Sequence, residues 1–159
     1  MLVADLMTDD VVTASPTMTL KDVDRLFTSH GISGAPVLDD GMLVGVISQS
    51  DVIRVLYDHQ VATTEVSQFL LSPFPIPLPA LEEISRNRAA IADRMVEMTV
   101  GEAMTSAPVT VAPADDISAA ANAMVEQRLH RVLVTDAGGA LVGILSALDL
   151  AALLIDAEI

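Results

Sequence analysis

The chain has 159 residues, enough for one compact domain or a tightly fused pair of small ones, and at 52% hydrophobic it can bury a core. With 3% aromatics and no Trp, that core must be aliphatic: Val, Leu, Ile, Ala and Met. A net charge of −14 argues against a general nucleic-acid binder and against adhesion to an anionic membrane, while the absence of Cys excludes disulfides, thiolate metal sites and a Cys nucleophile.

In chain order, residues 11–14 are mostly β-branched and precede Ser15-Pro16, which predicts a short strand or extended segment. Thr19 is placed to cap a helix over 20–29, where Leu20, Val23, Leu26 and Phe27 recur at helical spacing, and Gly31 stops it. Residues 35–38 read as a strand, Asp39-Asp40-Gly41 as a tight turn, and 42–47 as the returning strand of a hairpin. A second helix opens at Ser48 and carries Val52, Ile53, Val55 and Leu56.

Residues 58–99 form an insert. Pro73, Pro75, Pro77 and Pro79 alternate with Phe74, Ile76 and Leu78, so no helix can run through them and the segment is extended, packing on a repeat or on a neighbouring chain. Residues 81–98 predict a helix, with Glu82 and Glu83 at its positive end and three of the chain's eight cations, Arg86, Arg88 and Arg94.

The second half repeats the first. Residues 109–111 are the strand and Pro113 the break. Asp115 or Asp116 caps a helix through Gln127, 131–135 and 141–145 form the hairpin, and Ser146 opens the last helix. An offset of 97 carries Met7-Thr8 to Met104-Thr105, Pro16 to Pro113 and Val37 to Val134; after the extra Gly139 it becomes 98, carrying Gly45, Ser48 and Asp51 to Gly143, Ser146 and Asp149. Matches in fixed order over about fifty residues mark a duplicated unit. Neither half is large enough to bury much alone, so the two are expected to pack together.

Three sets of residues carry a resemblance to a known family. His30-Gly31-Ile32-Ser33-Gly34-Ala35-Pro36-Val37-Leu38-Asp39 is one. The glycine–apolar–Ser–x–x–Asp runs Gly45-Val46-Ile47-Ser48-Gln49-Ser50-Asp51 and Gly143-Ile144-Leu145-Ser146-Ala147-Leu148-Asp149 are the second. Met7-Thr8 and Met104-Thr105, each followed by a Val-Thr pair and a Pro, are the third. Together they resemble a tandem pair of cystathionine β-synthase (CBS) domains, a Bateman module. The resemblance implies an α+β fold of two β-α-β-β-α repeats packed about a pseudo-twofold axis. It also implies clefts that take adenosine-containing ligands such as AMP, ADP or ATP, a homodimer, and a regulatory role without chemistry of its own. The insert departs from the family's usual short linker, and no role carries over to it.

Under that resemblance Asp51 and Asp149 bind ribose, since a carboxylate accepts from the 2′ and 3′ hydroxyls together. Ser48 and Ser146 sit where a hydroxyl reaches sugar or phosphate. The residues alone read another way too: Ser-x-x-Asp at a helix start is a capping box, and the two roles are compatible. For phosphate, Arg128, His130 and Arg131 stand out, because residues 100–154 hold six acids and only those two arginines as cations. Placement at a helix C-terminus explains Arg128 better than phosphate contact. Phosphate is the better reading for Arg131, and His130 reads equally as a ligand contact or as partly buried structure. Repeat 1 has Ile32-Ser33-Gly34 at the corresponding place, so the clefts are expected to differ, with repeat 1 supplying wall through Ile32, Ala35 and Pro36. Val12, Thr13 and Ala14, with Val109, Thr110 and Val111, could line the base through backbone groups.

No catalytic constellation, phosphate-cradling glycine loop or metal-ligand spacing occurs, and His59 reads as surface. No apolar run approaches the ~18–20 residues of a membrane span, and the start Met1-Leu2-Val3-Ala4-Asp5 lacks the pattern of a signal peptide. The expectation is therefore a cytoplasmic, non-enzymatic regulatory module, with repeat 1 at 1–57, the insert at 58–99 and repeat 2 at 100–159. It would bind an adenine nucleotide, need no cofactor or metal, and act on a separate, unidentified protein. The alternative is a ligand-free structural or adaptor homodimer.

Overall fold

The computed structural model describes residues 1–58 and 88–156. A 3₁₀ turn at Val3–Asp5 leads to α1 (Leu20–His30), β1 (Gly34–Asp39), β2 (Met42–Ser48) and α2 (Gln49–Asp58). Beyond the insert come α3 (Arg88–Glu97), α4 (Val100–Ala103), β3 (Thr105–Ser106), β4 (Thr110–Val111), α5 (Ile117–Gln127), β5 (Arg131–Thr135), β6 (Leu141–Ser146) and α6 (Ala147–Asp156). This is the expected α+β fold, with two three-stranded sheets of order β1-β2-β3 and β4-β5-β6. The prolyl segment, His59 and the first part of the expected 81–98 helix lie outside the described residues. Among the described residues no helix is long and apolar enough to cross a membrane.

The caps are where the sequence put them. Thr19 accepts from the Asp22 N–H at 3.1 Å while Asp22 accepts from the Thr19 N–H at 3.3 Å, a reciprocal box that opens α1. Gly31, at φ 63°, closes it in the left-handed region. Of the two candidates, Asp116 caps α5, accepting from the Ser118 N–H at 3.0 Å. Asp40 and Gly41 both take positive φ, as a two-residue hairpin turn of that twist requires.

The chain divides into two compact units. The first comprises Met1–Thr13, Leu38–Gly45 and Ser106–Ile159; the second comprises Ala14–Val37 and Val46–Thr105. In the first, β4 pairs parallel with β5 (Thr110 opposite Leu133), and β5 pairs antiparallel with β6. Its core is Val3, Ala120, Met124, Val132, Val134 and Leu145, with Leu6, Met7, Val109 and Val111 packed around them. In the second, the buried positions Val100, Val23, Phe27, Ala35, Val37 and Ile47 are the repeat equivalents of those six.

One feature of the units escapes the sequence. The two lead-in segments are exchanged: the N-terminal residues pack with the second repeat, and residues 98–103 pack with the first. The Val3 and Ala4 N–H groups donate to Asp115 and Pro113, and the Ile117 N–H donates to Met1, at 2.9, 3.0 and 3.1 Å. The Val100 and Gly101 N–H groups donate to Met18 and Pro16, and the Leu20 N–H donates to Met98, at 2.8, 2.9 and 3.0 Å. These are the same three bonds, shifted by one repeat.

The strand expected at 11–14 reduces to one bridge, Ala14 to Val37. The cause is Pro36. In the second repeat, the Leu133 N–H donates to Val109, whereas Pro36 occupies the equivalent place and has no N–H to give.

Candidate ligand-binding site

Both Ser-x-x-Asp runs form the reciprocal capping box. At α2 the Ser48 N–H and hydroxyl donate to Asp51 Oδ2 at 2.9 and 2.6 Å, and the Asp51 N–H returns to Ser48 Oγ at 3.2 Å. At α6 the Ser146 N–H and hydroxyl donate to Asp149 Oδ2 at 2.7 and 2.6 Å, with the return bond at 3.3 Å. Capping is therefore structural fact at both helices, and what remains for a ligand is the second oxygen of each carboxylate.

The second oxygens differ. Asp51 Oδ1 accepts from Arg54 Nη2 at 2.7 Å and from the Thr105 hydroxyl at 3.3 Å. Arg54 Nη2 also lies 3.3 Å from the Ala103 carbonyl, tying α2 to the end of α4. Asp51 is the buried charged residue of the described chain, 9% exposed. Asp149 is half-buried, and its Oδ1 has no hydrogen bond among the described residues. Residue 152, at the repeat equivalent of Arg54, is alanine. Arg54 and Thr105 were missed by the sequence reading. Spacing of i,i+3 on a helix signals the first; nothing local signals the second.

At the head of α6 the first unit places two of the other expected residues, Arg131 and His130. Arg131 lies directly opposite Ser146 in the β5–β6 ladder. Residues so paired project from the same face, with Cβ atoms about 5 Å apart. The Ala147 N–H donates to the His130 carbonyl at 2.8 Å, which fastens the start of α6 to the residue before β5. Ser33 and Gln49 make the equivalent bond in the second unit at 3.0 Å, and Gly34 stands where Arg131 does. On the strand neighbouring each serine, the chain thus carries an arginine opposite Ser146 and a glycine against Ser48. Gly143 allows a close approach of Met7 and Thr8: a Cβ on it would lie 3.0 Å from the Thr8 carbonyl oxygen and would displace the Met7 side chain, whose Sδ would be 2.6 Å away.

His130 is exposed rather than partly buried. Arg128 is exposed and takes the left-handed position, φ 54°, that Gly31 fills in the first repeat; its N–H caps the Met124 and Val125 carbonyls. Thr110 is exposed and Val109 and Val111 are half-buried in the first unit. Val12 and Thr13 are half-buried in the same unit, while Ala14 belongs to the second and is 4% exposed. Ile32 is half-buried; Ala35 and Pro36 are buried, and the Pro36 carbonyl accepts from the Ala14 N–H at 2.9 Å. Among the described residues no group of three His, Asp or Glu side chains could hold a metal ion.

A β-α-β-β-α unit written twice, each copy ending in a helix headed by a Ser-x-x-Asp box, is the architecture of a tandem CBS pair. The chain belongs to the CBS domain family, which matches residues 3–58 and 100–156. It is 33% identical over 151 residues to the uncharacterized protein MJ1426 of Methanocaldococcus jannaschii, covering 94% of this chain and 89% of that one. It is 29% identical over 151 residues to the chloroplastic CBS domain-containing protein CBSX1 of Arabidopsis thaliana, covering 91% of this chain but 60% of CBSX1. Among solved structures, CBSX2 of Arabidopsis thaliana in complex with AMP is similar at a TM-score of 0.67 and 26% identity over 98% of both chains.

Proposed function

We propose that the chain is a ligand-sensing regulatory module that binds an adenosine-containing ligand of the AMP, ADP or ATP kind and passes its state to a separate protein. The observation that carries this reading is the open Oδ1 of Asp149, on a carboxylate whose other oxygen is already fixed by Ser146, with Arg131 opposite that serine. Asp149 takes the ribose hydroxyls, Arg131 the phosphate with His130 beside it, and Thr110 and its neighbours offer backbone to the base. The AMP complex of CBSX2 supports the choice of ligand. Arg128 acts as a helix C-terminal charge and not as a phosphate ligand. The repeats, in this reading, are 1–57 and 100–159, the site has no catalytic role and needs no cofactor or metal, and the protein works in the cytoplasm.

The homodimer belongs to the same proposal. Val125 on α5 and Leu148, Leu154 and Ile155 on α6 are 78%, 81%, 71% and 84% exposed, an apolar set suited to a second copy. That face equally supports the second reading, a structural or adaptor dimer without ligand, in which the Ser-x-x-Asp boxes are caps and nothing more. A thermal-shift screen with AMP, ADP and ATP separates the two. A nucleotide at 100 times its dissociation constant adds about 2.7 kcal/mol of stability, and no shift with any of the three favours the adaptor.

A further inference from the structure

A carboxylate offers about four acceptor positions, two on each oxygen. At Asp51 all are taken by the protein itself: Ser48 N–H and hydroxyl on Oδ2, Arg54 and the Thr105 hydroxyl on Oδ1, at 2.9, 2.6, 2.7 and 3.3 Å. At Asp149 the serine fills Oδ2 in the same way, and Oδ1 receives nothing among the described residues. We infer that Arg54 is a specificity-determining residue that masks Asp51 from ligand, so that the chain holds one adenosine ligand, at Asp149, and not two.

The chemistry favours the mask over a ribose. Both donors make charge-assisted bonds to a carboxylate, but the guanidinium adds the attraction of a full opposite charge, which a neutral sugar hydroxyl lacks. Arg54 is also tethered one helical turn away, so it needs no association step to reach Asp51. Its second bond, to the Ala103 carbonyl, holds the side chain in place. Removing the mask should be tolerated, because the Arg54 side chain is 54% exposed, and the second repeat already carries alanine at the equivalent position 152.

This rests on the nucleotide reading above, and titration calorimetry with AMP separates the two. Wild type should take one AMP per chain and Arg54→Ala two, with Arg54→Gln, which keeps length without charge, as the second variant should alanine compromise folding. Adding Asp51→Asn to Arg54→Ala should return the count to one. Asp149→Asn should weaken wild-type binding by about 10- to 100-fold, the worth of one hydrogen bond to a charged group. Wild type binding two AMP, or wild type binding one and Arg54→Ala no more, overturns the mask and leaves the nucleotide reading standing. Wild type binding none while Arg54→Ala binds one upholds the mask and overturns the nucleotide reading of the natural chain. No AMP on any variant overturns both.

Discussion

Among the described residues, the second unit packs a third helix on its helix pair, and the first exposes more of its apolar helix surface. In the second, α3 packs against both α1 and α2, and Arg94 on α3 donates to the Leu56 carbonyl at 3.3 Å. The exposed residues of α1 are Lys21, Asp22, Asp24, Arg25, Thr28, Ser29 and His30, all polar. In the first, α5 and α6 pack on each other and present Val125, Leu148, Leu154 and Ile155 outward. The heads of the last helices differ in the same direction, with Asp51 saturated and Asp149 half open. Duplication kept the parts that fold the unit: caps, core positions, lead-in bonds. It let the outward helix faces and the surroundings of the two carboxylates diverge, with Asp51 saturated and Asp149 keeping one oxygen without a hydrogen bond among the described residues.

If the two units are one folding design, equivalent core deletions must hurt alike. Phe27 and Met124 occupy the same repeat position and are 1% and 5% exposed. Phe27→Ala should cost about 3–5 kcal/mol and Met124→Ala about 2–5 kcal/mol, read from urea unfolding midpoints. A loss confined to one of them would mean that the stability of the module rests on a single unit, and the comparison would fail at its base.

These core positions and caps were legible in the sequence because they are local. Thr19 with Asp22, Gly31, the Asp40-Gly41 turn and the apolar spacing of α1 each declare themselves within a few residues. The exchange of lead-in segments was not legible. Val3 and Val100 are equivalent, as are their acceptors Asp115 and Met18, so either pairing satisfies the same pattern. The saturation of Asp51 was half legible. Arg54 is three residues away, but Thr105 arrives from 54 residues along the chain. The pairing of Arg131 with Ser146 follows from the hairpin once its register is known, and the bulge between Val134 and Thr135 is what a count from the turn misses.

The helix ends provide a smaller contrast. Gly31 and Arg128 hold the same left-handed place, at φ 63° and 54°. A Cβ at Gly31 would meet nothing within 4 Å, so Gly31→Ala isolates the backbone cost, about 1–2 kcal/mol of destabilisation. Arg128→Gly relieves that strain and should stabilise by less, about 0.5–1 kcal/mol, because glycine also frees the unfolded chain. AMP affinity should not change with Arg128→Gly if its charge serves the helix end. A parallel loss of affinity would restore Arg128 to the phosphate site and enlarge the difference between the repeats.

The smallest expected effect is in acid. The hydroxyl and N–H of Thr19 hold Asp22 below its usual 3.8, the N–H and hydroxyl of Thr99 hold Glu102 below its usual 4.5, and those of Ser118 hold Asp116 below 3.8. A carboxylate lowered in the folded state stabilises the fold above its ordinary value, and that contribution is lost as pH falls through the folded value. Stability should therefore begin to drop near pH 4.5, where Glu102 would ordinarily titrate, and continue below 3.8 as Asp22 and Asp116 take up protons. Two of the three caps lie in the second unit, at α1 and α4, and one in the first, at α5. All three are fully exposed, so the effect is screened and small at each. Hydrogen exchange followed from pH 5 to pH 3 resolves it by helix, with observed rates corrected for the intrinsic pH dependence of exchange: amides of α1 should lose protection ahead of those of α5, and Glu102→Gln should flatten the first part of that loss. Equal loss in both helices would show that the caps, unlike the carboxylates at Asp51 and Asp149, do not distinguish the two units.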